Sequence, residues 1–283
     1  MLRELRLYGR PRAWLLAGLL LGWSAADGES LRAQDADAPF VPEVGRPGKD
    51  VVWVPSPDPL VDTMLEIAEV TDRDVVMDLG SGDGRTVIAA ARLGARAIGV
   101  EYDPELVELS QARAEAAGVA GRATFVTADL FETDLSQATV ITMFLLPDLN
   151  ARLRPRLLDL EPGTRIVSNT WDLEDWEPDH TVVLDPCPGF CTALLWVVPA
   201  RVEGTWALPE GELVLEQQFQ MVTGTLRTSS GTVAIEEGRL RGVGLAFRVG
   251  GTSYTGLVRG DVITGTAAAG ARAIGWRATR VGR

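Results

Sequence analysis

The sequence predicts an α/β protein: an open, mostly parallel sheet with helices on both faces, followed by a small antiparallel β domain. Three observations carry this. From about residue 57 to 198, apolar runs of strand length alternate with stretches of helical spacing, the β-α-β order of a parallel sheet. After Pro199 the helical period disappears, and short alternating runs recur between glycine turns. At 283 residues, 46% hydrophobic and 23% charged, the chain has ordinary globular composition and length for about two domains.

Each element follows in order. After Pro57, residues Leu60, Val61, Met64, Leu65, Ile67 and Ala68 recur at helical spacing. Val75–Leu79 reads as a buried strand, Arg85–Arg92 as a helix and Ala95–Glu101 as a second strand. Pro104–Ala117 is a helix, Ala123–Ala128 a third strand and Thr139–Leu145 a fourth. Asn150–Leu160 is helical, Arg165–Asn169 is a fifth strand, and Thr181–Leu184 with Thr192–Val198 closes the sheet as a hairpin edge. Beyond, short strands are expected at 213–219, 221–226, 232–235, 245–249, 252–258, 262–266 and 276–281. Gly231, Gly238, Gly250-Gly251, Gly260 and Gly270 supply the turns of a meander or barrel.

Residues 1–26 have the form of a secretory signal or an uncleaved membrane anchor, a misassigned start codon being the third reading. Arg3, Arg6, Arg10 and Arg12 precede a short apolar run from Ala13 to Leu21, and Ser24-Ala25-Ala26 supplies small residues for cleavage. Either form places the remainder outside the cytoplasm or on a membrane. Residues 27–52, rich in Asp, Gly and Pro without periodicity, are expected to be a linker. The first domain then covers 53–200 and the β-rich domain 201–283. The whole chain carries −12; residues 1–26 and 201–283 are each +3, so 27–200 is −18. Such charge excludes a general nucleic-acid binder and favours cationic partners. One His and two Cys exclude a multi-histidine metal site and a four-cysteine zinc site.

The first strand runs into Asp78-Leu79-Gly80-Ser81-Gly82-Asp83-Gly84-Arg85, then a helix. Glycines let the backbone turn tightly and a ligand approach the main chain. A dinucleotide fingerprint needs its third glycine one position later, and Asp78 and Asp83 would repel a pyrophosphate. The acids suit a zwitterion with an amine and a sulfonium. Glu101 ends the second strand 21 residues after Gly80, where a carboxylate reaches ribose hydroxyls. Asp129 ends the third strand, where a carboxylate meets an adenine amino group. All three acids fall at the carboxyl ends of strands, the ligand side of an open α/β sheet.

These residues resemble the class I S-adenosylmethionine (SAM)-dependent methyltransferases over about residues 53–198. Trp53-Val54-Pro55-Ser56-Pro57, Asp78–Arg85 and Leu145-Leu146-Pro147 look like a bacterial group related to mitochondrial protein-lysine methyltransferases. That group includes the enzymes acting on the c subunit of ATP synthase and on the adenine nucleotide translocase. The resemblance implies a Rossmann-like, seven-stranded methyltransferase sheet with SAM as cofactor. It implies that the Gly80 and Gly82 backbone and Asp78 hold the methionine part, with Ser81 also at the cofactor. Glu101 would hold the ribose, Tyr102 would pack on the adenine and Asp129 would hold its amino group, with Leu130 also at the cofactor. Thr142–Pro147 lies where methyltransferases line the transfer site, but it lacks the Asn/Asp-Pro-Pro-Tyr/Phe motif of enzymes acting on planar amide or base nitrogens. The implied acceptor is a protein lysine, with membrane proteins among the candidates.

Acceptor residues are expected in Asn169–Trp176. Asn169, Trp171 and Asp172 are the catalytic candidates, and Trp171 and Trp176 beside Asp172, Glu174 and Asp175 would form a cation-accepting slot. The alternative is two packing tryptophans and a solvated acidic turn. Two other functions remain open: a small-molecule methyltransferase with the β domain as lid, and a non-catalytic SAM-binding envelope protein. Cys187 and Cys191 suit a short-loop disulfide or two inert thiols. His180 stands alone and reads as a surface residue.

Overall fold

The computed structural model describes residues 40–187 and 189–282, so the leader expected at 1–26 lies outside the described residues. The first unit contains α1 (Asp58–Ile67), β1 (Val75–Leu79), α2 (Arg85–Arg92), β2 (Arg96–Glu101), α3 (Pro104–Ala116) and β3 (Ala123–Thr127). β4 (Val140–Met143), α4 (Pro147–Leu158), β5 (Arg165–Asn169), β6 (His180–Val183) and β7 (Thr192–Val197) complete it. The sheet order is β3-β2-β1-β4-β5-β7-β6. Strands β1 to β5 are parallel; β7 runs antiparallel to β5 and to the edge strand β6.

The strand order reverses between β1 and its neighbours β2 and β4, which leaves a crevice above their carboxyl ends. Helices cover both faces, which is why β1 is apolar nearly throughout. Val76, Val140 and Val167 face Leu60, Met64 and Val87 on one side. Met77, Ile141 and Ile166 face Leu153 and Leu157 on the other. Helix α3 starts at Pro104 behind Asp103, whose carboxylate accepts from the Glu105 N–H at 2.9 Å. Helix α4 starts at Pro147, three residues before the periodicity suggests, because proline fits the first helical position without needing a donor.

The second unit comprises β8 (Gly204–Leu208), β9 (Gly211–Gln218), β10 (Met221–Thr228), β11 (Gly231–Ala234), β12 (Glu236–Arg241), β13 (Gly244–Val249), β14 (Thr252–Arg259), β15 (Val262–Ala269) and β16 (Arg272–Arg280). Every pairing is antiparallel. β11 and β12 share one edge of β10, with Ile235 as the break between them, and β9 pairs with both β8 and β10. The sheet therefore closes into a ring of eight ladders, which removes its long edges. Trp206, Phe247 and Trp276 fill the interior, and Gly256 is glycine because a Cβ there would lie 2.9 Å from the Trp276 ring.

The two units are joined by specific contacts. Trp176 stacks on Phe219 with ring centres 5.9 Å apart. Gln220 donates to the Glu177 carbonyl at 2.7 Å, and Arg239 pairs with Asp179 at 2.7 Å. Residues 40–52 are not a free tether. The stretch 45–53 folds back on itself through the bonds Gly45 N–H to Trp53 O, Trp53 N–H to Arg46 O and Gly48 N–H to Val51 O, forming a strap. Among the described residues no helix is long and apolar enough to cross a membrane.

Candidate active site

The crevice above β1 and β4 is a cavity of about 270 Å³. One wall is the loop leaving β1. Gly80, Gly82 and Gly84 all have positive φ, at 75°, 52° and 78°, which only glycine adopts cheaply. A Cβ on Gly82 would lie 2.5 Å from the Trp53 indole nitrogen, so the strap closes directly over the loop. The Gly80 N–H bonds to Val100 O at 2.9 Å, tying the loop to the end of β2.

Asp78 is buried at the foot of this loop and accepts from the Thr142 hydroxyl at 2.7 Å. Burial pushes its carboxyl up to about 7; Glu101 and Asp83 push the same way, while Thr142 and Thr86 oppose. Asp83 has a different fate. Burial opposes its ionisation, but the hydrogen bonds and charges of Arg85 and Arg113 outweigh this and hold it below the usual carboxylate range. The acidity of the loop facing a ligand is therefore Asp78 alone; Asp83 is a structural acid.

Glu101 accepts from the Gly82 N–H at 2.8 Å with one oxygen, and from the Tyr102 and Asp103 N–H groups at 2.8 and 3.0 Å with the other. It thereby locks the glycine loop to the end of β2. Tyr102 is exposed on its outer face. Asp129 accepts from the Phe131 N–H at 2.8 Å and pairs with Lys49, and both contacts hold it below the usual range, Lys49 foremost. Asp78, Gly80, Ser81, Gly82, Glu101, Tyr102, Asp129 and Leu130 all line the one cavity.

Apolar side chains also line the cavity: Phe144, Leu145 and Leu146 after β4, Trp171 after β5, and Phe190 before β7, while the strap contributes Arg46, Lys49, Asp50 and Trp53. Leu145 lies against the glycine loop, since a Cβ on Gly80 would be 3.1 Å from it. The Trp171 backbone is fixed by Ser168 and Asn150, which donate to its carbonyl at 2.6 and 3.1 Å.

The two-tryptophan slot does not form. Trp176 is fully buried against Trp196 and Phe219, and only Trp171 reaches the cavity. Asp172 is exposed, accepts from the Glu174 N–H at 3.2 Å and does not line the cavity. Asn169 is buried beneath it, donating to the Ser56 hydroxyl at 2.9 Å, and also lies off the lining. Among the described residues, none beyond Phe190 lines the cavity, and the β unit contributes no lining residue. Sequence reasoning misses Lys49 and Phe190. Neither sits in a motif; their only signal is position beside elements distant in sequence. Cys187 and Cys191 form a disulfide, with Cα atoms 5.6 Å apart. His180 is exposed at the start of the edge strand. Among the described residues no group of three His, Cys, Asp or Glu could hold a metal.

A switch-point crevice with a glycine loop, one buried unpaired acid at its foot, and carboxylates ending β2 and following β3 defines a nucleoside-binding transferase of the α/β class. Residues 78–180 match the family model described as the ANTKMT methyltransferase domain. The chain is 42% identical over 151 residues to a protein-lysine N-methyltransferase of Saccharolobus islandicus, covering 52% of this chain and 94% of that one. It is 35% identical over 161 residues to the mouse lysine N-methyltransferase that acts on the c subunit of ATP synthase, covering 56% of this chain and 63% of that enzyme. A solved structure described as an RNA methyltransferase from Salinibacter ruber, in complex with S-adenosyl-L-homocysteine, is 50% identical with a TM-score of 0.50. That match covers 53% of this chain and 96% of the Salinibacter chain. The chain belongs to this family of SAM-dependent methyltransferases, and SAM is its cofactor.

Proposed function

We propose that this enzyme methylates a lysine side chain of a protein. The reading is carried by the apolar part of the cavity lining: Phe144, Leu145, Leu146, Trp171 and Phe190 join the carboxylates and the glycine loop around one space. An uncharged aromatic wall accepts the methylene stem of a lysine and attracts its cationic head. The archaeal relative, whose length the chain spans almost fully, is named for the same acceptor. The chain spans about three-fifths of the mouse enzyme.

SAM, when bound, supplies a methyl group on an electrophilic sulfonium. Asp78 holds the methionine ammonium, and the Gly80 and Gly82 backbone gives it room. Glu101 takes the ribose hydroxyls, Tyr102 and Leu130 flank the adenine, and Asp129 takes its amino group. The apolar wall aligns the amine and strips its water; desolvation disfavours the ammonium and delivers the neutral nucleophile, its proton leaving to solvent. No carboxylate of the 169–176 segment is needed for that step. The net −18 of residues 27–200 draws basic protein segments. The basic leader and short apolar run at 1–26 favour an acceptor at a membrane or in the cell envelope.

A second reading, methylation of RNA, is favoured by the description of the Salinibacter structure. The acidity of residues 27–200 opposes it, since RNA binding rests on phosphate neutralisation. Tritiated SAM incubated with cell extract, followed by mass spectrometry, separates the two. Label on protein lysines is the expected result. Label confined to RNA, lipid or small molecules overturns the lysine acceptor.

A further inference from the structure

We propose that Asn150 and Arg154, one turn apart on α4, are positioning residues for the acceptor: together they set the backbone of residues 171–175 and so hold the Trp171 ring in the cavity. This deepens the lysine reading and rests on it. Residues four apart share one face of a helix. From that face the Asn150 amide donates to the carbonyls of Trp171 and Asp172 at 3.1 and 3.0 Å. Arg154 donates to the Leu173 carbonyl at 3.0 Å and pairs with Glu174 at 3.0 Å and with Asp175. Its guanidinium also stands 5.7 Å from the centre of the Phe219 ring. Glu174 and Asp175 are thus counter-ions of Arg154 rather than a site for a ligand cation.

Two observations separate this role from ordinary packing. Asn150 is fully buried, and among the described residues its Oδ1 accepts from nothing. A leucine would continue the buried face that Leu153 and Leu157 form on α4 without stranding an acceptor, so stability alone does not select asparagine here. What the amide gains is its grip on the two carbonyls. The second observation is the turn just ahead of Trp171. Thr170 has φ 64°, a region that β-branched residues rarely enter. Its N–H donates to Thr192 O at 2.8 Å, and the Trp171 N–H donates to Asn169 O at 2.7 Å. These bonds fix where the chain leaves β5. The direction in which it then carries the Trp171 ring is fixed at the Trp171 carbonyl, by Asn150 and by the Ser168 hydroxyl at 2.6 Å. Trp171 lines the cavity, whereas Asn150 and Arg154 do not, so both act through the ring.

The test uses the full-length protein labelled with 5-fluorotryptophan, saturated with S-adenosyl-L-homocysteine and observed by fluorine NMR. Trp171→Phe and Trp176→Phe identify the two resonances of the segment. Asn150→Leu should shift or broaden the Trp171 resonance and leave that of Trp176 in place; Arg154→Met should displace the Trp171 resonance as well. An unmoved Trp171 resonance in either variant, or an equal displacement of Trp176 in Asn150→Leu, overturns the proposal. n-Butylamine, a probe of the stem and head of lysine, should bind roughly three- to tenfold more weakly to Asn150→Leu, the span for losing an aromatic contact. In a Trp171→Ala background the same substitution should cost less than about twofold, because its effect passes through that ring. A full, additive loss there, or a loss of S-adenosyl-L-homocysteine affinity as large as that for butylamine, marks a general disturbance and also overturns it. If Asn150→Leu does not fold, Ser168→Ala, which removes one bond to the same Trp171 carbonyl, carries the same predictions. Butylamine that leaves the Trp171 resonance of the parent unmoved sinks the lysine reading, while the comparison of parent and variants still judges the placement of the ring.

Discussion

Lys49 reaches across 80 residues of sequence to the Asp129 carboxylate, and its ammonium stands 5.0 Å from the centre of the Tyr102 ring. It is the single lysine in the chain. It occupies both groups expected to receive adenine: the acid for the amino group and the ring for the base face. Cofactor binding must therefore loosen the strap at this point. Lys49→Met should tighten SAM by about two- to fivefold, the scale of an exposed ion pair, and should flatten the salt dependence of binding. Calorimetry at two ionic strengths reads both. The hydrogen bond that Lys49 donates to Asp129 raises the lysine pKa and keeps it charged. The purified protein incubated with SAM should thus keep its intact mass; a gain of one methyl would show that the strap reaches the transfer site.

Asp78 sets a pH dependence. Its carboxyl is raised from 3.8 to about 7 by burial first and by Glu101 and Asp83 next. A ligand ammonium favours the ionised form, so binding below pH 7 must release a proton. SAM affinity should fall as pH drops below about 7, and Asp78→Asn should abolish that slope and weaken binding more than tenfold. The stability sign is the reverse. The raised pKa favours the folded protein at low pH, and that contribution disappears as pH rises through about 7. The increase in Tm on adding SAM should therefore grow between pH 6 and 8. An increase independent of pH would remove Asp78 from the ammonium site.

Gly82→Ala should damage the loop twice over. The new Cβ would meet the Trp53 indole at 2.5 Å, and φ 52° is unfavourable for alanine. A stability loss of about 1–3 kcal/mol is expected, with SAM binding lost before the fold. Denaturant unfolding and calorimetry on one sample distinguish the two effects.

The tryptophans of the 169–176 segment should behave oppositely. Trp176→Ala removes a fully buried indole and should cost about 3–5 kcal/mol. Trp171→Ala should leave Tm nearly unchanged and raise KM for the acceptor. Asp172→Asn, facing solvent, should keep turnover within about twofold of the parent. A large kcat loss in that variant would return Asp172 to the chemistry.

What can be read from the sequence is local. Val75–Leu79, the three glycines and Glu101 are fixed by period and spacing within about 27 residues. What cannot be read depends on distant partners. Trp171 and Trp176 look equivalent until Phe219, 43 residues on, takes the second into the core. Asp83 resembles Asp78 until Arg113 arrives from α3. The strap has a linker's composition and is ordered by Asp103, Glu105 and Asp129, none of them near it in sequence. Strand β8 escapes a sequence reading because five residues carry too little alternation; its place follows from β9 and β16 on either side.

The stacking of Trp176 on Phe219 ties the methyltransferase unit to the ring of strands. Among the described residues every one that lines the cavity precedes Ala200, and the archaeal relative is matched almost whole by about half of this chain. A shortened version ending at Ala200 would keep every described residue that lines the cavity. It would also leave the Trp176 ring without its Phe219 cover and the Glu177 carbonyl without Gln220, in the segment that carries Trp171. The ring of strands thus covers part of the segment that carries Trp171, so removing it should lower Tm and disturb that segment even though it lies outside the cavity.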